Sequence, residues 1–456
     1  MTSSATRRIF SEGAWIAAGQ IASAAGTLVG VRLLTEILPP RVFGEVVLAL
    51  GIGTLALGLS AGPLMQAVLR LYSESVATNS VAILRAVATR WVRRFAFVVG
   101  GIFLVAYFWF SQMVTISPYL GVILATLLGL DVVRQLEVVL FNAARRQEPT
   151  AIWIAAEAWG RPALAWVAVL LTGATAVATL SGYVVASLLL FVGFALLSER
   201  EGIQKAVNEK RTEPVPSVRR PNPSNPAEQF DQKERLLSDQ LISYALPLLP
   251  LGLIGWISGQ ADRYMIGGMI GIEQAGLYAA LYGIVSRPFL MASAILELWM
   301  RPIYYQAVSS HDPVLEKKIL TVWIFAAVCA SLGGFAVFFL WNNEIVSAIL
   351  APPYRGNAAL MPWIAAGYGF LIIAQVFARI CYAHKNTKAV LAIEAIGSAA
   401  ALIVTIAALK HFGMAGAAYA VPMYFSLQLV AAMLLALLTY RRRQASPILT
   451  HRSSIA

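Results

Sequence analysis

The sequence predicts an all-α, polytopic membrane protein with about twelve transmembrane helices, arranged as two pseudo-symmetric six-helix halves. Of its 456 residues, 59% are hydrophobic and only 13% are charged, whereas about a quarter of the residues are charged in a soluble globular domain. A hydrocarbon core about 30 Å thick requires roughly 20 consecutive apolar residues per helix. Apolar runs of that length recur along nearly the whole chain, so no sizeable soluble domain is expected.

Six apolar runs precede one polar segment and six follow it. The first six are predicted helices at 13–36, 45–72, 95–114, 117–142, 150–172 and 176–198. The second six are predicted at 241–269, 275–303, 319–341, 358–381, 388–409 and 414–439. The segment between them is rich in proline and charge, a composition that cannot pack a core. The predicted domains are therefore an N-terminal half (1–198), a flexible cytoplasmic linker (199–240), a C-terminal half (241–440) and a basic cytoplasmic tail (441–456).

The positive charges of the chain predict its orientation in the membrane. The net charge of +12 does not indicate nucleic-acid binding here, because basic residues of membrane proteins concentrate in cytoplasmic loops. One set of alternate loops, with both tails, carries most of the Lys and Arg residues outside the helices. The other set carries three: Arg41, Arg355 and Lys410. We therefore expect a multi-pass protein of the plasma (inner) membrane with both termini in the cytoplasm.

A sequence repeat relates the two halves. Residues 31–52 read VRLLTEILPPRVFGEVVLALGI and residues 263–284 read RYMIGGMIGIEQAGLYAALYGI, at a constant offset of 232 residues. At this offset Gly44 falls on Gly276, and the loops between the paired helices have equal length. Two halves related in this way are typical of transporters whose substrate site lies between repeats near mid-membrane.

The same residues carry a resemblance to a known family. The stretch DRYMIG at 262–267, followed by GLYAA at 276–280, resembles the passage from helix seven to helix eight of polysaccharide flippases. These belong to the multidrug, oligosaccharidyl-lipid and polysaccharide exporter superfamily. Leu33-Leu34 followed by Phe43-Gly44 is similar to their passage from helix one to helix two, and helix number, orientation and the central linker agree along the whole chain.

The resemblance implies a function. It suggests a flippase that moves an oligosaccharide linked to polyprenyl pyrophosphate from the cytoplasmic to the outer leaflet by alternating access, for surface polysaccharide biosynthesis. Members that flip the peptidoglycan precursor usually have two further helices, which favours a surface-polysaccharide unit here. The expected partners are the lipid-linked substrate, the bilayer and the polysaccharide polymerase machinery. Nucleic acid is not expected, and a monomer suffices.

Arginines inside the predicted spans are candidate ligands for the pyrophosphate. A charge at mid-bilayer costs about 2.5–3.5 kcal/mol on insertion scales, so it needs a partner or a task. The guanidinium group binds phosphate oxygens in a bidentate manner and stays protonated. Arg287 ranks first because no carboxylate lies three or four residues away. The other candidates are Arg263, Arg32, Arg134 and Arg379.

The competing interpretation of several embedded arginines is structural. Arg32 and Glu36, Glu157 and Arg161, and Glu297 and Arg301 each lie four residues apart, on one helix face. Arg134 has an acid three residues before it and another three after it. These carboxylates neutralise the arginines for folding under this interpretation, which we favour for Glu157 with Arg161.

Transport against a gradient requires coupling to an ion. Glu394 and Asp262 are embedded carboxylates to which a proton or sodium ion could bind. Each also has a structural alternative, since Glu394 could pair with Arg379 across helices and Asp262 with its neighbour Arg263. No cofactor, catalytic residue or metal site is expected, because the cysteines and histidines lack metal-ligand spacing.

Two other functions compete with the flippase. A cation-coupled multidrug exporter of the same superfamily would require acids facing an apolar cavity and few arginines there, which is the reverse of the balance seen. A membrane glycosyltransferase or polymerase would require a sizeable outer loop carrying catalytic acids. The largest predicted outer loop, 342–357, has Glu344 as its single acid, so a non-enzymatic protein is expected.

Overall fold

The computed structural model describes residues 3–78, 80–113, 119–144, 146–209, 226–310, 312–384 and 386–445. Over these ranges the chain forms α-helices and two 3₁₀ segments, at Leu246–Leu248 and Pro352–Leu360, and no strand. The first helices are α1 (Ser3–Ile37), α2 (Pro40–Ser60), α3 (Gly62–Ala77), α4 (Val81–Met113), α5 (Tyr119–Ala143), α6 (Gln147–Thr172) and α7 (Ala176–Glu209). The later ones are α8 (Pro226–Ala245), α9 (Leu249–Met269), α10 (Ile272–Ser309), α11 (Pro313–Leu340), α12 (Asn342–Ile349), α13 (Met361–Ala383), α14 (Thr387–Phe412) and α15 (Met414–Ala445).

The predicted fold class, an all-α polytopic membrane protein, is confirmed. Ten helical segments in the described ranges are long and apolar enough to cross a membrane. They match the predicted spans except 95–114 and 117–142, whose described residues, 95–113 and 119–142, are nevertheless helical within α4 and α5. The protein is therefore a multi-pass membrane protein.

Prolines divide two of the predicted spans. The predicted helix at 45–72 is broken at Ala61, and Pro63 lies in the first turn of α3. A 3₁₀ turn containing Pro247 separates α8 from α9. Proline lacks the N–H that a helix interior requires, but it is tolerated in a first turn, so each proline starts a new segment.

The predicted flexible linker is helical at both of its ends, which corrects the prediction for those residues. The end of α7 extends to Glu209 and α8 begins at Pro226, while residues 210–225 lie outside the described ranges. Within α8, Leu241 and Ala245 are buried in an apolar core formed with α3, α4 and α5. Average composition missed this helix because its polar side outweighs a narrow apolar stripe.

The predicted outer loop at 342–357 is also ordered. It contains α12 and most of the second 3₁₀ segment. The Tyr354 hydroxyl in this segment donates to the Leu38 carbonyl at 2.8 Å, and its ring meets Phe43 edge-on with centroids 5.7 Å apart. The segment thereby covers the corner between α1 and α2.

The described chain divides into two compact units that cut across α1, α2 and α9. The first unit comprises Met1–Gly19 and Ile52–Gly252, and the second comprises Gln20–Gly51 and Leu253–Ala456. In the second unit α13 is the most enclosed helix, with Ile364, Tyr368 and Ile372 buried along it. The division of the chain at its polar segment, predicted from the repeat, stays a prediction.

A reciprocal backbone contact joins the two copies of the sequence repeat within the second unit. A Cβ atom added to Gly44 would overlap the Ile272 carbonyl oxygen, and one added to Gly276 would overlap the Pro40 carbonyl oxygen. At the repeat offset, Pro40 corresponds to Ile272 and Gly44 to Gly276. The first turns of α2 and α10 therefore cross at equivalent positions of the two repeats. Only glycine permits so close an approach of two backbones.

Candidate functional site

The repeat motif on α9 brings an acid and a base into the interior of the second unit. Asp262 and Arg263 are only 7% and 8% exposed. Asp262 Oδ1 accepts a hydrogen bond from the Arg263 backbone N–H at 2.8 Å and lies 3.8 Å from Arg263 Nη1. The Arg263 guanidinium also donates to the Gly259 carbonyl at 2.7 Å and to Gln260 Oε1 at 2.5 Å. The structural pairing considered for these neighbours is therefore present.

A group of buried tyrosines surrounds this pair. The Arg263 guanidinium carbon lies 4.5 Å from the ring centroid of Tyr282, within cation–π range. The Tyr282 ring lies 5.5 Å from those of Tyr278 and Tyr368, and the Tyr368 hydroxyl is 2.9 Å from that of Tyr282. We call the following residues the tyrosine cluster: Tyr278, Tyr282, Tyr368 and Tyr424.

Two buried polar atoms at this site have no hydrogen-bond partner at full bonding distance. They are Asp262 Oδ2 and the Tyr278 hydroxyl, and the hydroxyl makes at most a long hydrogen bond to the carboxylate. Buried polar groups are almost always hydrogen-bonded, so each exception calls for an explanation. A proton on the carboxylate or a small bound cation would satisfy both atoms.

Arg287 differs from the other candidate arginines because its side chain is exposed. It lies on α10, within the candidate span Ile272–Ser309. Among the described residues it makes no ion pair or hydrogen bond. Arg263 and Tyr368 lie within electrostatic range of it. A guanidinium at this depth requires an anion or water.

Arg379 and Glu394 lie in a second charged group of the same unit. Arg379 Nη2 lies 2.9 Å from Glu297 Oε1, and Arg301 Nη1 lies 2.8 Å from the same oxygen. Gln428 Nε2 donates to Glu394 Oε2 at 3.4 Å, and Arg379 is within electrostatic range of Glu394. The cation of Arg379 is thus paired with Glu297 rather than with Glu394.

Arg32 contributes to the corner between α1 and α2. Its Nη1 donates to the Leu350 carbonyl at 3.0 Å, and its Nε lies 3.6 Å from Glu36 Oε2. These contacts fix α1 to the segment that follows α12. Because Leu38 and Tyr354 are joined at the same corner, the observed contacts of Arg32 are structural.

Arg134 lies in the first unit, within four charges that we call the charge quartet: Asp131, Arg134, Glu157 and Arg161. Arg134 Nη1 lies 2.5 Å from one Glu157 oxygen, and Arg161 Nη1 lies 2.7 Å from the other. Asp131 pairs with Arg161 and lies 3.4 Å from Arg134 Nε. All four side chains are between 13% and 18% exposed. Two arginines are therefore neutralised by two acids.

Sequence reasoning missed the tyrosine cluster and the pairing of Arg379 with Glu297. Tyr278 and Tyr282 are four residues apart beside the repeat motif, and this spacing could have indicated one aromatic face. Tyr368, by contrast, lies on a different helix, and no spacing along the chain predicts its contact with Tyr282. The described residues contain no group of three His, Cys, Asp or Glu side chains that could hold a metal ion.

Comparison with known proteins identifies the family. The sequence profile of the family described as "Polysaccharide biosynthesis protein" matches residues 9–302, which is more than half of the chain. The chain belongs to the polysaccharide biosynthesis protein family. No curated protein sequence matches it.

Solved structures share the fold of this family member. The MATE transporter VcmN of Vibrio cholerae, in a mutant form, superposes with a TM-score of 0.66 at 11% identity, covering 96% of this chain and 98% of that one. The lipid II flippase MurJ in an inward closed conformation superposes with a TM-score of 0.60 at 13% identity, covering 91% of this chain and 85% of that one. A MOP superfamily transporter of Pyrococcus furiosus, described as having a binding pocket of reverse polarity, gives 0.61 at 12% identity, covering 96% of both chains.

These matches confirm the resemblance stated from the sequence. The fold is that of the superfamily containing MATE transporters and MurJ, whose members named here are transporters and flippases. Together with the family match, this identifies the protein as a multi-pass membrane protein of the polysaccharide biosynthesis family that has the fold of these transporters and flippases. At 11–13% identity the solved structures give the fold alone, so the substrate must be argued from this chain's own residues.

Proposed function

We propose that the protein flips an oligosaccharide linked to polyprenyl pyrophosphate from the cytoplasmic to the outer leaflet of the plasma membrane, for surface polysaccharide biosynthesis. Membership of the polysaccharide biosynthesis family supports this proposal. The observation that carries it is Arg287, an exposed residue inside a span that makes no ion pair with any described residue. Such a group offers bidentate, charge-assisted hydrogen bonds to a pyrophosphate.

We rank the other candidate arginines by the contacts that each guanidinium already makes within the protein. Arg263 comes second because its hydrogen bonds go to a carbonyl and an amide oxygen, which a pyrophosphate can replace, and the Asp262 carboxylate lies 3.8 Å away, beyond hydrogen-bond distance. Arg379 comes third because it shares Glu297 with another arginine. Arg32 and Arg134 come last, since each is held by a carboxylate and by contacts between helices.

Asp262 is the proposed coupling residue, binding either a proton or a sodium ion. Its Oδ2 and the Tyr278 hydroxyl support this assignment, because neither has a hydrogen-bond partner at full bonding distance. Glu394 is the second choice because Gln428 already donates to it. Binding of a cation at Asp262 would change the field at neighbouring Arg263, and through it the affinity of the site for an anion.

The proposed transport cycle is alternating access by a monomer with both termini in the cytoplasm. The positive-inside distribution puts the corner between α1 and α2 at the outer surface. The crossing of Gly44 and Gly276 would then close the outer side while cargo is loaded from the cytoplasm. The flipped unit would pass to the polysaccharide polymerase machinery outside.

Flipping in proteoliposomes tests the proposal. A fluorescent polyprenyl-pyrophosphate oligosaccharide is added to both leaflets, and its arrival outside is followed with a membrane-impermeant quencher. We expect Arg287→Ala to slow flipping at least about tenfold, because a charge-assisted hydrogen bond contributes about 1.5–3 kcal/mol. The control is Arg41→Ala, since Arg41 is exposed and contacts Glu45 on its own helix at 3.6 Å. Equal rates for the two variants would contradict the role of Arg287.

A multidrug cation exporter is the second candidate function. The observation that favours it is a buried carboxylate beside an aromatic cluster, Asp262 with Tyr278 and Tyr282, which suits an organic cation. The same proteoliposomes distinguish the two functions. Efflux of a cationic dye driven by a proton or sodium gradient, without flipping of the oligosaccharide lipid, would replace the flippase by the exporter.

A further inference from the structure

A basic groove runs along the first turns of α4, in the first unit. The open space along it is about 640 Å³, which is large enough for a phosphate-bearing headgroup. Ala82, Ala86 and Thr89 form a floor of small residues. Four arginines complete the lining of the groove: Arg85, Arg90, Arg93 and Arg94.

Counting the described residues, the groove and its ion-pair partners carry two more positive charges than negative ones. Arg85 Nη2 lies 2.6 Å from Glu137 Oε1, and Arg90 pairs with Glu234 of α8. Arg93 and Arg94 are exposed and have no carboxylate partner among the described residues. The charge quartet of the same unit, by contrast, is balanced. The groove is therefore a place where an anion is attracted without displacing an existing partner.

The helix that carries the groove is held firmly from behind. Leu84, Ala88 and Val92, on the opposite side of α4, are buried in the core shared with α3, α5 and α8. Trp91 Nε1 donates to Ser238 Oγ of α8 at 2.7 Å. This packing fixes the face that Arg93 and Arg94 present, so little ordering of the helix is needed when a ligand binds.

Beyond the arginines the same face of α4 becomes apolar and exposed. Phe97 and Val98, four residues after Arg93 and Arg94, are 84% and 56% exposed, and Ile102 is 66% exposed. In a membrane-spanning helix this surface faces hydrocarbon. A ligand with its anionic group between the arginines would thus have an apolar chain alongside Phe97, Val98 and Ile102.

We propose that this groove captures the diphosphate headgroup of the lipid-linked cargo at the cytoplasmic surface, before the cargo reaches the membrane interior. The inference rests on the proposed function for the identity of the cargo. A diphosphate esterified at both ends carries two negative charges, which matches the excess of two in the groove. Arg93 and Arg94 both line the groove, so each can donate to one of the two phosphoryl groups.

Equilibrium binding tests the groove separately from transport. Protein in phosphatidylcholine nanodiscs is titrated with a fluorescent polyprenyl diphosphate sugar, and Kd is read from anisotropy. We expect the double variant Arg93→Gln/Arg94→Gln to raise Kd about tenfold or more through loss of charge-assisted bonds to phosphate. Lys317→Gln/Lys318→Gln is the matched control. These two adjacent residues are exposed and lie on the face predicted to be cytoplasmic, and their substitution removes the same amount of positive charge. Its Kd should stay unchanged.

Two further measurements test which anion the groove binds and at which step of transport it acts. Cardiolipin in the nanodiscs should compete with the probe only weakly, because its two phosphates are set apart by a glycerol; full displacement would make the groove a phospholipid site and overturn the proposal. In the flipping assay, Arg93→Gln/Arg94→Gln should raise KM with little change in kcat, whereas Arg287→Ala should lower kcat. Arginine-dependent binding without flipping would refute the proposed function alone. If the double variant Arg93→Gln/Arg94→Gln flips the cargo with the KM and Kd of the wild type, the groove proposal alone is refuted.

Discussion

At the residue scale, the described arginines differ in what balances their charge. In the charge quartet each arginine contacts both acids. Arg379 and Arg301 share Glu297, and Arg263 relies on oxygens of its own helix and on a tyrosine ring. Arg287 has none of these contacts. These differences in contacts are the physical reason for assigning a structural role to the arginines of the charge quartet and cargo binding to Arg287, although all of them lie within helices.

The charge quartet is expected to stabilise the first unit only while it is complete. Arg161→Ala would leave Asp131 and Glu157 facing Arg134 alone, and breaking a buried ion pair costs about 3–5 kcal/mol. We expect a marked fall in the thermal unfolding temperature in detergent. Replacing all four residues by neutral side chains of similar size should cost less than Arg161→Ala. If the fourfold variant were the less stable, the quartet would contribute net stability rather than mutual neutralisation.

The sequence could predict contacts within a helix but not those between helices. Spacing of four residues correctly paired Glu157 with Arg161 and Glu297 with Arg301. Glu137 lies three residues from Arg134 but pairs instead with Arg85 of another helix. A contact across helices depends on rotation and crossing angle, which hydropathy and local spacing do not encode.

At the element scale, strongly apolar helices were predicted well and amphipathic ones were not. The runs that became α10 and α13–α15 are long and predominantly apolar, and length with composition identified them. Helix α8 is stabilised by Leu241 and Ala245 in the core of the first unit, yet its average composition resembles a linker. The consequence reaches function, because α8 supplies Glu234 and Ser238 to the helix that carries the basic groove.

The crossing of α2 and α10 gives a prediction about closure of the outer side. In Gly44→Ala the added methyl meets a backbone carbonyl, which cannot move aside as a side chain would, so overpacking of about 1–3 kcal/mol should weaken the crossing. With Cys329 and Cys381 replaced by serine, Leu38→Cys reports on the corner, since Leu38 is 3% exposed. We expect Gly44→Ala to speed its reaction with an impermeant maleimide added outside.

Gly283→Ala provides the matched control for this experiment. Gly283 lies on α10 like Gly276, but a Cβ there has nothing within 4 Å. The labelling rate of Leu38→Cys should not change in this background. If Gly44→Ala and Gly283→Ala label at the same rate, the crossing does not hold the outer side closed.

At the scale of the whole molecule, the proposed cycle requires loading and outer closure to occur on opposite faces of the membrane. The basic groove begins at the start of α4, and the α2–α10 crossing lies one membrane passage away along the chain. Positive charge is concentrated at the groove, while Arg41 is the single basic residue in the predicted loop at the crossing. The positive-inside rule therefore predicts that the groove faces the cytoplasm and that the crossing faces the outside.

Reporter fusions test this orientation directly. Alkaline phosphatase, which is active only outside the cytoplasm, is fused after Thr78, between α3 and α4, after Phe412, between α14 and α15, and after Ala445 at the end of α15. The fusion after Phe412 should be active, because the corner it enters carries Lys410 as its only Lys or Arg. The other two should be inactive, because basic residues cluster beside them. Activity after Thr78 would put the basic groove outside the cell and remove its proposed access to cytoplasmic cargo, whatever the transported substrate.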